Sequence, residues 1–124
     1  MKITINDDRK IFTIQDEFNT LFPYLKLEFF SKHHKPCGSS AKNLVKQNSV
    51  TLGEFRTEHH MGEITIVPEM KVSDLEQNFG NIYGLGVQVF RKSGKLWLET
   101  TVTDNWTLAE QNKQGEELSN FDVK

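Results

Sequence analysis

IQDEFNTLF, residues 14–22, recurs in outline 61 residues later as LEQNFGNIY, residues 75–83. In the first stretch Ile14, Phe18, Leu21 and Phe22 are the apolar positions; in the second they are Leu75, Phe79, Ile82 and Tyr83. The spacing i, i+4, i+7, i+8 puts large side chains on one stripe of a helix. Pro23 and Gly84 stop both stretches at the same place.

Working outward, each stretch has a short alternating segment before it. These are Lys2-Ile3-Thr4-Ile5-Asn6 and Glu63-Ile64-Thr65-Ile66-Val67. Period-two patterning with β-branched residues indicates strands. After the stop residues a strand pattern returns, Leu25, Leu27, Phe29 and Phe30 matching Leu85, Val87, Val89 and Phe90 at an offset of 60. The chain therefore reads as two tandem β-α-β units. Two such units can form one four-stranded sheet with both helices on one face, so the expected fold is α+β and ferredoxin-like. Ser73-Asp74-Leu75-Glu76 reads as a capping box for the second helix, with Thr13 and Asp16 as its weaker counterpart.

The second unit continues into an added strand and helix. Gly94 suits the turn of a hairpin. The following strand is expected over about Leu96–Thr103, with Leu98, Thr100 and Val102 on one face and Trp97, Glu99, Thr101 and Thr103 on the other. Thr107-Leu108-Ala109-Glu110 is a further capping box. Its helix, to about Leu118, has few apolar positions and contains Gly115, which predicts a mostly exposed element with a frayed tail over 119–124. Residues 31–61 form a long connection with room for a short helix through Ala41–Gln47. Long connections inside compact domains are where dedicated sites concentrate.

At 124 residues the length is that of a single domain, and 26% charged residues fit a globular chain. The net charge of −2 gives no general attraction to nucleic acid or to anionic membrane. No apolar run approaches the roughly 20 residues of a membrane span. MKITINDDRK at the start lacks an apolar signal core, so a cytoplasmic location is expected. Cys37 is the single cysteine, which excludes an intrachain disulfide.

His33, His34, Cys37, His59 and His60 are the best set of metal-capable side chains. Imidazole and thiolate suit zinc, and a closed tetrahedral site needs four ligands. Of the candidates, His33, Cys37, His59 and His60 would supply it. The spacing matches no standard zinc pattern, so polar histidines near a loop are the plainer reading and no cofactor is expected. Cys37 with a histidine lacks a third orienting group for nucleophilic catalysis. Gly38-Ser39-Ser40 with Lys42 could cradle an anion, but no phosphate-loop fingerprint is present. Lys26, Lys32, Lys35, Lys42 and Lys46 with Phe29 and Phe30 outline a basic aromatic surface without an RNA-binding signature. Asp7-Asp8, Glu99 and Glu116-Glu117 read as surface carboxylates, and no convergent catalytic set emerges.

Trp97, near the Arg91-Lys92 hairpin, and Trp106, before the polar helix, are large aromatics at the rim of a small domain. Such residues anchor partners. Trp97, Trp106 and Arg91 are therefore the candidate partner-binding residues, and the partner is expected to be another protein or a second copy. The plainer alternative is that both tryptophans cover the sheet edge or pack under the last helix.

The stretch IYGLGVQVFRKSGKLWLETTVTDNWTLAEQN (82–112), with TLGEFRTEHH (51–60), resembles a family of small conserved Bacteroides-type proteins of uncharacterised function. The resemblance implies a bacterial, cytoplasmic, single α+β domain. It brings no catalytic or binding residues with it.

Overall fold

The computed structural model describes residues 1–30, 50–56 and 59–121. The expected short helix at 41–47 and the candidates His33, His34, Cys37, Gly38 and Lys42 lie outside the described residues.

Strand β1 (Lys2–Ile5), helix α1 (Ile11–Leu21) and strand β2 (Leu25–Phe30) form the first unit. Strand β3 (Gly62–Thr65), helix α3 (Val72–Tyr83) and strand β4 (Gly86–Ser93) form the second. Between them lies a one-turn helix, α2 (Leu52–Phe55); strand β5 (Leu96–Glu99) and helix α4 (Leu108–Phe121) follow. The chain is α+β, with tandem β-α-β units and an added C-terminal strand and helix. Strand β5 ends at Glu99, short of the expected Thr103, and α4 runs on to Phe121.

The strand pairing differs from a ferredoxin-like plait. Among the described residues β1 pairs with β3, and β2, β4 and β5 form a second sheet in that order; every pair is antiparallel. The edges of the second sheet explain why the four repeat strands do not share one sheet. On the outer side of β2, Gln15 donates from Nε2 to the Leu27 carbonyl at 2.8 Å and Asn19 from Nδ2 to the Leu25 carbonyl at 2.8 Å. Side chains of α1 thus occupy acceptors that another strand would need. The outer side of β4 is taken by β5 over Phe90–Ser93 and by the Glu76 carboxylate at Val89.

Each helix buries the same face, shifted from the expected stripe in the same way. In α1 the buried positions are Ile11, Ile14 and Phe18, followed by Phe22; in α3 they are Val72, Leu75, Phe79 and Tyr83. Leu21 and Ile82 point to solvent. These residues join Ile3, Ile5 and Ile64 of one sheet, Ile66 just past its end, and Leu25, Leu27, Phe29, Val87 and Val89 of the other in one core. Phe29 meets Phe79 edge-on, with ring centres 6.2 Å apart. Gly84 ends α3 in the left-handed conformation (φ 64°), its N–H returning to Gly80, as the sequence signal required.

The helix starts correct the expected caps. Both α1 and α3 begin after a lysine, Lys10 and Lys71, neither of which caps through its side chain. Ser73 and Thr13 lie inside the helices. The free N–H groups at these starts are taken by backbone from afar. Ile11 donates to Val50 and Val72 to Trp106, each at 3.0 Å, and Ser73 donates to Asp104 at 2.8 Å.

That arrangement reveals a second, hidden part of the repeat. Thr51-Leu52-Gly53-Glu54 and Thr107-Leu108-Ala109-Glu110 are equivalent, at an offset of 56. Leu52 donates to Arg9 and Leu108 to Met70; Gly53 donates to Asp7 and Ala109 to Pro68. Each acceptor is the counterpart of the other in the 61-residue repeat. The fifth residue after each threonine then reaches across to the other unit. Arg56 donates to the Tyr83 carbonyl at 2.9 Å, and Asn112 accepts from the Tyr24 N–H at 2.9 Å.

Candidate interaction surface

The hairpin from β4 to β5 turns at Gly94, whose φ of 61° no other residue in this turn could adopt as cheaply. Its register pairs Lys92 with Trp97 and Arg91 with Leu98. Side chains alternate along β5, so Trp97 and Leu98 face opposite ways. Trp97 lies half-buried with the Lys26 ammonium 4.9 Å and the Lys92 ammonium 6.0 Å from its ring. Lys26 also lies 5.7 Å from the Phe90 ring and 3.7 Å from a Glu28 carboxylate oxygen. Cation–π contacts of this kind fix both lysine stems over the aromatic face.

Trp106 and Arg91 belong to the other face. The Arg91 guanidinium carbon is 5.9 Å from the Trp106 ring, and its Nη1 donates to Gln111 Oε1 at 2.9 Å. Gln111, fully buried in α4, donates in turn to the Thr103 carbonyl at 2.7 Å and to the Thr103 hydroxyl at 2.8 Å. Trp106 also borders an open depression of about 350 Å³ along α4, with Glu110, Lys113 and Glu117. Thus Arg91 and Trp106 come together, and Trp97 serves a separate surface. The sequence placed Arg91 and Trp97 at the hairpin and Trp106 before the last helix, but could not sort them between faces.

The residues that sequence reasoning passed over are Leu96 and Leu98. They are 66% and 42% exposed on the side of β5 that faces Arg91. Thr100 donates its N–H to the Val89 carbonyl at 3.3 Å. By antiparallel alternation, Leu96 and Leu98 direct their backbone groups at β4. Those of Trp97 and Glu99 therefore point outward, where no strand pairs with them among the described residues. An open edge flanked by exposed leucines accepts an added strand. The alternation of Leu96 and Leu98 with Trp97 was the available signal.

A second cluster sits at the opposite end of the repeat. The Arg56 side chain is fully buried and holds Asp7 Oδ1 through Nε (3.3 Å) and Nη2 (3.0 Å). His59 Nδ1 lies 2.8 Å from Asp7 Oδ2 and the imidazole is otherwise half-exposed. The bond to His59, helped by Arg56 and opposed by desolvation, holds the Asp7 carboxyl below the usual carboxylate range. His60 is exposed beside it. Among the described residues no group of three or more metal-capable side chains converges.

Glu76 does not cap α3. It is pushed up to about 7 by burial, against the stabilising Val89 N–H that it accepts at 3.0 Å, with Asp104 raising it further. Val89 is where β5 has run out, so the carboxylate stands in for the missing strand carbonyl.

No helix among the described residues is long and apolar enough to cross a membrane. No family model, curated protein or solved structure matches this chain.

Proposed function

We propose that this protein, read as a bacterial cytoplasmic chain of the Bacteroides type, is a non-enzymatic protein-interaction or regulatory module. Its binding surface is the outer edge of β5, with Leu96 and Leu98 on one side and Trp97 on the other. One observation carries this reading: the N–H and C=O groups of an edge strand face outward beside exposed leucines. Soluble proteins ordinarily blunt such edges or use them. Arg91 and Trp106 continue the same side of the sheet and widen the apolar footprint.

The test is photo-cross-linking in the native host, with a benzophenone amino acid replacing Leu98, and replacing Gln77 on α3 as control. Discrete protein adducts from position 98 and none from position 77 are expected. An absence of adducts at position 98 overturns the reading.

A second reading is favoured by His59. A ligating imidazole typically donates its other ring N–H to a carboxylate, and ionised Asp7 is placed to accept it. His59 would then offer Nε2 to a metal or ligand held with His60, His33 and Cys37. Zinc titration of the intact protein and of Cys37→Ser decides it. Stoichiometric tight binding lost on substitution supports the site, and no binding by the intact protein removes it.

A further inference from the structure

We infer that the partner of the β5 edge is a second copy of this chain, joined by antiparallel β5–β5′ pairing centred on Trp97. The inference rests on the interaction reading above and specifies its occupant.

The sequence around β5 is self-complementary in one register. Lys95-Leu96-Trp97-Leu98-Glu99, laid antiparallel on itself about Trp97, sets Lys95 opposite Glu99′ and Glu99 opposite Lys95′. Leu96 then lies opposite Leu98′, twice over, and Trp97 opposite Trp97′. The backbone agrees. Trp97 directs its N–H and C=O outward, so the central pair exchanges both hydrogen bonds across the axis. The faces agree as well. Trp97 and Glu99 share one side of the strand, and Lys95 is the turn residue directly before it, so the aromatic pair lies between two points where a hairpin-tip lysine meets a glutamate of the other copy. Leu96 and Leu98 share the other side, so exposed leucines cover one another. The competing register, centred on Leu98, sets Trp97 against Glu99′ and leaves Lys95 without an acidic partner.

The product is a continuous sheet of six strands, three from each copy. A four-residue edge with its flanks is smaller than a standard interface of roughly 1,600 Å², so the dimer is a weak, concentration-dependent one.

Charge reversal tests partner and register together. Lys95 and Glu99 are both exposed, so neither Lys95→Glu nor Glu99→Lys burdens the fold, and circular dichroism confirms folding. Each single variant places two like-charge pairs across the axis; the double variant restores two opposite-charge pairs. Sedimentation velocity over a concentration series should show dimerisation of the intact protein. Each single change should weaken it by about tenfold, and the double variant should recover it to within about twofold. A protein that stays monomeric, or a dimer indifferent to both reversals, overturns the inference. The photo-cross-link at position 98 separates the two readings. A monomer that cross-links there to a different protein ends the dimer and leaves the interaction module standing. A monomer with no adduct ends both.

Discussion

Ile3 and Ile64, equivalent in the sequence repeat, lie directly opposite each other in the β1–β3 pair. Glu28 and Gln88, equivalent at the offset of 60, do the same in the β2–β4 pair. Each antiparallel pair is therefore centred on residues that the repeat equates. That is the signature of an approximate two-fold relation between the halves, in which every strand pairs with its own counterpart. The crossed contacts of Arg56 to Tyr83 and Asn112 to Tyr24 obey the same relation. It makes the molecule its own control: where the halves differ, one position shows what the other could have been.

Gln15 and Glu76 are such a pair. Gln15 reaches the β2 edge as a neutral amide, whereas Glu76 reaches β4 as a buried acid. Because folded Glu76 titrates at about 7 and the unfolded chain at the ordinary glutamate value of 4.5, the folded state holds the extra proton between these values. Stability is then highest in mild acid, falls as pH rises through this window and levels off above it. Glu76→Gln keeps an acceptor for the Val89 N–H and removes the buried charge beside Asp104. At pH 8 it should stabilise the protein by on the order of 2 kcal/mol, with the advantage vanishing near pH 5. Urea unfolding at the two pH values checks this; an equal effect at both would contradict the buried-acid account.

Gly115 and Gly80 are both helical glycines with opposite expected responses to alanine. A Cβ at Gly115 would lie 2.8 Å from the Tyr24 Cβ and 3.1 Å from the Tyr24 carbonyl oxygen. One at Gly80 would meet nothing closer than the Leu85 carbonyl at 3.9 Å. Helix propensity favours alanine by up to about 1 kcal/mol at either position. Overpacking against backbone costs about 1–3 kcal/mol and wins at Gly115. Gly115→Ala should therefore lower the unfolding midpoint and Gly80→Ala should raise it.

The β-α-β units were legible because burial writes periodicity into sequence: Ile3 and Ile5 at period two, Ile14 and Phe18 at helical spacing. Strand partners were not legible, because period two names a strand's buried face and says nothing of its neighbour. The caps at Ser73 and Thr13 failed because distant carbonyls of Val50, Asp104 and Trp106 satisfy these helix starts, which no local window contains. The TLGE and TLAE equivalence was present in the sequence but hidden by its different offset. Gly115 read as a helix weakness because its reason, Tyr24, is 91 positions away. At the candidate surface the residue types were legible, yet the separation of Trp97 from Arg91 and Trp106 depended on hairpin parity. The Asp7–His59 bond spans 52 positions and left no local trace.

The full capping box at Thr107 gives a clean local prediction. Thr107 Oγ1 accepts the Glu110 N–H at 3.1 Å, and Glu110 Oε1 accepts the Thr107 N–H at 2.9 Å. Thr107→Ala should cost about 1 kcal/mol by denaturant unfolding. Glu110→Gln should cost less, since an amide oxygen still accepts that N–H. An equal loss from both would show that charge, not cap geometry, carries the effect.

Asp7 and Arg56 determine how the fold responds to acid. Folded Asp7 releases its proton more readily than the unfolded chain does, owing first to His59 and then to Arg56. The unfolded state therefore binds more protons as pH falls, and the stability that Asp7 contributes is intact above the ordinary carboxylate range. It is lost as pH drops through the depressed value. Asp7→Asn should lower the melting temperature at pH 7 and converge on the intact protein only as pH falls below the ordinary carboxylate range. Arg56→Met removes the donor to the Tyr83 carbonyl as well, and should cost about 1–3 kcal/mol even where Asp7 is protonated. Thermal melts of the three proteins across this range distinguish the roles. Parallel curves for the intact protein and Asp7→Asn would show that the carboxylate serves only as a hydrogen-bonding post for Arg56 and His59. Convergence of that pair alone, with Arg56→Met remaining below, assigns the acid response to Asp7 and the link between the two halves to Arg56.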